Sequence, residues 1–269
     1  MSVLMDLVLL YEHRGYHAAS GLDREHTNDP LSEFTWLFQG DALLTEHLGI
    51  ALKELYFLEC ALGAPRRRAV MPVPHWMPQG VLVIGNSFGW SSFALALLCP
   101  QAQVVAIEIG AEPFTAQWIP RCNAIAQEEG LPLTVVQGAS PQAVAPVMTG
   151  DGPLAGMPLD LALIDGHHTC AQVALDLAAL APFLHPGSVI LCHDVLAFGL
   201  MEPVAAFARQ HGLTATTLWG TPSGMVVLSG ARAPLAVLEA CYAFGGSALA
   251  GEKVALLRDM AAIRAGKNR

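Results

Sequence analysis

From Gly80 onward the chain alternates between short apolar runs and longer segments whose apolar residues recur at helical intervals. The runs 81–85, 103–108, 133–137, 161–164 and 188–192 are largely continuous Val, Ile, Leu and Ala, the pattern of strands covered by helices on both faces. Between them, Ser91 to Leu98, Pro113 to Glu129 and a stretch with Ala174, Leu177, Ala178, Ala181 and Leu184 on one face read as helices. In the last of these, Gln172 and Asp176 fall on the opposite, polar face. Pro113 suits a first helical position and Gly130 a C-terminal cap. A helix over 202–210 precedes two strands, 214–218 and 224–228, joined by Thr221-Pro222-Ser223. That turn is too short for a crossover helix, so the pair forms an antiparallel hairpin. The pattern predicts an α/β fold with a doubly wound sheet of seven strands and a hairpin at one edge.

Residues 1–79 read differently. Asp41 to Leu62 places Leu44, Leu48, Ala51, Leu52, Leu55, Leu58 and Leu62 at helical spacing, and Gly63-Ala64-Pro65 ends it. Gly15 to Pro30 is polar, rich in His and Asp, and reads as a loop or lid; His13, His17 and His26, near the N-terminus, would be exposed or close over the acceptor. The chain thus divides into an N-terminal helical cap or lid (1–79), a sheet domain (80–230) and a C-terminal helical extension (231–269).

Candidate chemistry collects where the strands end. Val81-Leu82-Val83-Ile84 leads into Gly85-Asn86-Ser87-Phe88-Gly89, whose glycines let backbone approach a ligand. Glu108 closes the next strand, 23 positions after Gly85, where an acid can accept hydrogen bonds from both ribose hydroxyls. A dinucleotide fingerprint needs a glycine where Ser87 stands, so the loop suits a nucleoside with a cationic or neutral tail better than a pyrophosphate. Asp165 and His193-Asp194 end neighbouring strands and share one rim. Asp165 and Asp194 offer oxygen and His193 nitrogen to a divalent cation; alternatively, His193-Asp194 is an orienting pair or simply polar strand-end residues. His167 and His168 would sit at a helix N-terminus, where the dipole favours a neutral, proton-accepting ring, or would serve as a cap.

Composition narrows the field. The 269 residues are 53% hydrophobic, with mean hydropathy +0.44, yet no apolar stretch reaches the roughly 18 residues of a membrane span. The expected outlet for the surplus is a homo-oligomer interface. Net charge is −9, from 14 Lys and Arg against 23 Asp and Glu, and the one basic cluster is Arg66-Arg67-Arg68, so no nucleic-acid groove is expected. The six cysteines are scattered without a C-x-x-C pair, and Met1 to Leu10 has no basic leader, which together predict a reducing, cytoplasmic setting.

Gly85-Asn86-Ser87-Phe88-Gly89, Glu108, Gly138-Ala139-Ser140, Asp165-Gly166-His167-His168 and His193-Asp194 occur in the order and spacing of class I S-adenosylmethionine-dependent methyltransferases. Residues 163–195 resemble most the small-molecule O-methyltransferase branch that holds macrocin, cephalosporin-pathway and catechol-type enzymes. The resemblance covers roughly 80–230 and implies a Rossmann-like domain binding S-adenosylmethionine. It implies that Gly85, Ser87 and Gly89, with Asn86 and Phe88 between them, pass the methionine tail. Glu108 would hold the ribose, Ile109 pack on adenine, Ala139 and Ser140 contact the adenine edge, and Asp165 close the cofactor site. It also implies a base at His168 or His167, and Mg²⁺ or Mn²⁺ at Asp165, His193 and Asp194. Relatives usually carry an acid at Val83 and at His193 and often a glycine at Ser87; a histidine at 193 leaves Mn²⁺, Fe²⁺ or no metal open.

The expected activity is methyl transfer to a hydroxyl of a small-molecule acceptor. Its rivals are N-methylation of a small amine, a nicotinamide-dependent oxidoreductase, and a non-catalytic binding module on the same fold.

Overall fold

The computed structural model describes residues 3–22, 33–45, 48–63, 76–222 and 224–246. In chain order these form α1 (Val3–Glu12), β1 (Tyr16–Leu22), β2 (Glu33–Gln39), β3 (Ala42–Thr45), α2 (Leu52–Leu62), β4 (Gly80–Ile84), α3 (Trp90–Leu98), β5 (Gln103–Glu108) and α4 (Pro113–Glu128). They continue with β6 (Leu133–Gln137), α5 (Val144–Met148), β7 (Leu159–Ile164), α6 (Cys170–Leu180), β8 (Val189–Cys192), α7 (Met201–His211), β9 (Thr214–Thr217), β10 (Val226–Ser229) and α8 (Leu235–Phe244).

Among the described residues, seven strands make one sheet in the order β6-β5-β4-β7-β8-β10-β9. It is parallel from β6 to β8, and β10 runs antiparallel to both β8 and β9. This is the doubly wound sheet with an antiparallel edge hairpin that the sequence predicts. The strand order reverses beside β4, so the crevice outside the carboxyl ends of β4, β5 and β7 is where such a sheet takes a ligand.

The core lies in two layers. Val81 and Val83 of β4 join the cluster under α1 to α4 and α8, while Leu82 and Ile84 join the one under α5 to α7. Successive side chains point to opposite faces, and both faces are covered, which is why the strand reads as an unbroken apolar run. A tilted and edge-on aromatic cluster of Tyr11, Phe88, Trp90, Phe93 and Trp118 seals α1 against α3 and α4.

Three readings of the sequence need correction. The N-terminal region is not helical throughout: β1 lies in the stretch read as a loop or lid and pairs with β2, which pairs with β3, in a separate antiparallel sheet. The helix expected from Asp41 begins only at Leu52, because Leu44 lies in β3 and Gly49 takes φ +138°, outside helical geometry. In α6 the buried face is Val173, Asp176, Leu177 and Leu180, so Asp176 turns inward, not to solvent. His26 and Arg66-Arg67-Arg68 lie outside the described residues, as does residue 247 onward of the C-terminal extension. No described helix is long and apolar enough to cross a membrane.

Candidate active site

The glycine loop is organised by one carboxylate. Glu108 is buried at the end of β5; its Oε2 accepts the backbone N–H of Asn86 at 2.9 Å and of Ser87 at 2.8 Å, and its Oε1 accepts that of Gly110 at 2.9 Å. Gly85 is needed for packing within the protein: its φ is +94°, and a Cβ there would meet the Asp165 carbonyl oxygen at 2.2 Å. At Gly89, φ +91°, a Cβ would meet Cys122 Sγ at 2.7 Å. The glycines therefore let β4, β7 and α4 close up behind the loop. Ser87 takes the left-handed conformation of a glycine, φ +46°, and the bond from its N–H to Glu108 helps hold it there. Burial pushes the Cys122 thiol under the loop up to about 12, so it stays uncharged. Ile109 is 56% exposed beside Glu108, an apolar side chain at the lip of the crevice. Trp90 is core: its Nε1–H donates to the Ile50 carbonyl at 3.2 Å.

On the far side of β5, Gly138-Ala139-Ser140 follows β6, and α6 braces it. Ser140 Oγ donates to Asp176 Oδ1 at 2.6 Å, and Gln172 Nε2 reaches both that oxygen at 2.7 Å and the Ser140 carbonyl at 2.9 Å. Burial raises the pKa of Asp176 against these two hydrogen bonds.

The ends of β7 and β8 gather the second group. Asp165 Oδ1 lies 2.8 Å from His193 Nδ1 and 3.6 Å from His168 Nε2. Asp194 Oδ2 is 3.5 Å from His193 Nδ1 and 3.4 Å from His168 Nδ1. Asp165, His168 and His193 each present one ligand atom within 4.8 Å of the others. The metal set expected from sequence was Asp165, His193 and Asp194; the structure puts His168 into the group and Asp194 beside it. His168 Nε2 and His193 Nδ1 are buried and make no hydrogen bond among the described residues, although a carboxylate oxygen is near both. A divalent cation fits that requirement, and two imidazole nitrogens with one carboxylate suit Mn²⁺ or Fe²⁺ better than Mg²⁺. Burial opposes charge on His193, but Asp165, Asp194 and Glu54 outweigh it and hold its pKa well above 6.5. Burial likewise raises Asp165, yet His193 and His168 pull it below the ordinary carboxylate range.

His167 and His168 stand just ahead of α6, and neither caps it; Thr169 does, accepting the Gln172 N–H at 3.2 Å. His167 is exposed. Asp194 takes φ +56°, a conformation that Asp tolerates better than most residues.

One participant escaped the sequence reading. Glu54, fully buried on α2, places Oε2 2.8 Å from His193 Nε2. Its signal was an acid on the apolar stripe, three residues after Ala51 and four before Leu58. The same N-terminal region reaches the glycine loop, where the Tyr11 hydroxyl donates to the Phe88 carbonyl at 2.9 Å.

Residues 82–195 match the model of a family described as a methyltransferase domain. An assigned O-methyltransferase from Klebsiella pneumoniae is similar in structure, at TM-score 0.50 and 19% identity, over 86% of this chain and 90% of that one. The SAH complex of an O-methyltransferase from Bacillus cereus aligns at TM-score 0.46 and 17% identity, over 68% of this chain and 83% of that one. No curated protein is significantly similar in sequence. At such identities the structural neighbours share the fold. The family match over 82–195, the sheet order and the glycine loop gathered on Glu108 agree in placing a methyltransferase domain within this chain.

Proposed function

We propose that the chain methylates a hydroxyl of a small molecule with the help of a divalent cation held by Asp165, His168 and His193. The observation that carries this reading is the pair of buried nitrogens, His168 Nε2 and His193 Nδ1, which meet no hydrogen-bond geometry among the described residues yet converge on one oxygen of Asp165. S-adenosylmethionine supplies an electrophilic methyl group, and a bound cation lowers the pKa of a coordinated hydroxyl and orients it. The protein's own part is placement. Glu108 holds the ribose hydroxyls, Ile109 covers adenine, Ala139 and Ser140 meet its edge, and the loop 85–89 lines the methionine tail. Asp194 faces both histidines and balances charge at the rim. An amine acceptor is nucleophilic once neutral and has less need of such a cluster, which favours O- over N-methylation.

A second reading rests on Asp194 lying 3.4 Å behind His168 Nδ1, an arrangement that orients a ring as a general base. One experiment separates the two. Methyl transfer to a panel of phenols, sugars and amines is measured after dialysis against EDTA, then with Mn²⁺ or Mg²⁺ restored. The proposal expects hydroxyl methylation to vanish and return, best with Mn²⁺. Undiminished turnover after chelation would leave His168 as a metal-free base, and methylation of amines alone would sink the hydroxyl assignment.

The homo-oligomer expected from the hydropathy has a candidate face in α8, where Leu235, Leu238 and Tyr242 are exposed on one stripe. Sedimentation showing only monomer at micromolar concentration would remove it.

A further inference from the structure

Glu54 lies 139 positions from His193, and it is the side chain that meets the outer nitrogen of that ring. The His193 imidazole is sandwiched: Nδ1 faces Asp165 Oδ1 at 2.8 Å, and Nε2 faces Glu54 Oε2 at 2.8 Å. Glu54 is itself fixed, because the same oxygen accepts the Ala51 N–H at 2.8 Å at the start of α2. The segment that leads into α2 is seated tightly on α3. The Ile50 N–H donates to Ser91 Oγ at 3.2 Å, and a Cβ at Gly49 would meet that oxygen at 2.6 Å. Ser91 Oγ in turn reaches Asp165 Oδ2 at 3.3 Å. One short stretch, 49–54, thus touches Asp165 through Ser91 and His193 through Glu54.

We propose that Glu54 is a positioning residue of the active site, acting through His193 so that Nδ1, and not Nε2, is presented to the cation. A carboxylate that accepts the Nε2–H of an imidazole fixes the ring's tautomer and tilt and makes its other nitrogen a better donor. With Nε2 occupied by Glu54, only Nδ1 of His193 can join His168 and Asp165. The inference rests on the cation reading above and adds a member from outside the 82–195 methyltransferase domain. The N-terminal region therefore belongs to the cation site and is not a cover laid over it.

The test is calorimetric titration of Mn²⁺ into the full chain and its variants, with S-adenosylhomocysteine titrated in parallel. Glu54→Gln keeps an oxygen for both the Ala51 N–H and the His193 ring, so the α2 cap survives and only the charge is lost. Mn²⁺ affinity should fall about 10-fold in Glu54→Gln and toward 100-fold in Glu54→Ala, the range for residues that support a ligating histidine. S-adenosylhomocysteine affinity should stay within about 2-fold, since the hydrogen bonds of Glu54 to Ala51 and His193 lie away from the Glu108 loop. In a His193→Ala background, Glu54→Gln should change nothing further. Wild-type Mn²⁺ affinity in Glu54→Gln would overturn the positioning role and leave the cation reading standing. A matching loss of S-adenosylhomocysteine affinity would also overturn it, because it would report general loosening. No Mn²⁺ uptake by the wild type would overturn both, since His193 would have no ligand role for Glu54 to orient.

Discussion

The two halves of the active site are built on opposite plans. In the cofactor half, one carboxylate, Glu108, gathers three backbone N–H groups, and the glycine loop is shaped by main-chain geometry. In the half proposed to hold a cation, carboxylates and imidazoles from α2, the end of β7, the segment ahead of α6 and the end of β8 converge, with Ser91 of α3 against Asp165. The first half consists of local segments a β-strand apart, so its geometry tolerates changes of side chain such as Ser87. The second depends on pairing: Glu54 and His193 are buried and their partners half-buried, so removing one leaves its partner uncompensated. Backbone cradles are robust, whereas buried charge clusters are tunable and fragile.

The largest effect is expected where the halves meet. Gly85→Ala drives a Cβ into the Asp165 carbonyl at 2.2 Å while demanding φ +94° of a side-chain-bearing residue. Urea unfolding should show a loss of about 3 kcal/mol or more, with both S-adenosylhomocysteine and Mn²⁺ binding impaired. If only one ligand is lost, the halves are mechanically separate.

Glu108→Ala acts on the cofactor half alone. It should weaken S-adenosylhomocysteine by about 1.5–3 kcal/mol, through lost ribose hydrogen bonds and a loop without its anchor, with Mn²⁺ affinity kept. Unchanged calorimetric affinity in a folded Glu108→Ala protein would move the ribose elsewhere.

The same contrast explains what could be read from the sequence. Glu108, the glycine loop and the strand ends at Asp165 and His193 are legible because strand and loop chemistry is local and strands deliver their last residues to one rim. The three N-terminal strands were not legible: Leu44 and Leu48 continue the helical spacing of Leu52 and Leu55 across a break at Gly49. Asp176 was misplaced by one step around α6, since small alanines at 174 and 178 sit on its exposed side. Glu54 was invisible as a partner of His193, because nothing local in a sequence records a contact made across the fold.

Asp176 offers a subtler test. Burial raises its pKa above 3.8, so within that interval the folded state binds more proton than the unfolded chain. Stability should therefore fall as pH rises from 3.8 through the folded value, then level. Asp176→Asn should flatten that slope in urea titrations across acid pH; an identical slope in the variant would assign it to other groups. The smallest effect is expected at Ser87→Gly. Relief of φ +46° is offset by greater unfolded-state freedom, leaving stability within about 1 kcal/mol and cofactor binding intact. A loss of cofactor affinity there would show that the Ser87 side chain, and not the backbone, makes the contact.

The central claim is that Asp165, His168 and His193 hold a divalent cation beside the cofactor crevice. It is tested most directly by titrating Mn²⁺ against the wild type, His168→Ala and Asp165→Asn, with free ion followed by electron paramagnetic resonance. The account predicts one Mn²⁺ taken up per wild-type chain and affinity lowered by about 100-fold or more in each variant, ligand loss exceeding loss of a supporting residue. Wild-type chains that leave all Mn²⁺ free, or variants that bind it as tightly as the wild type, would contradict it.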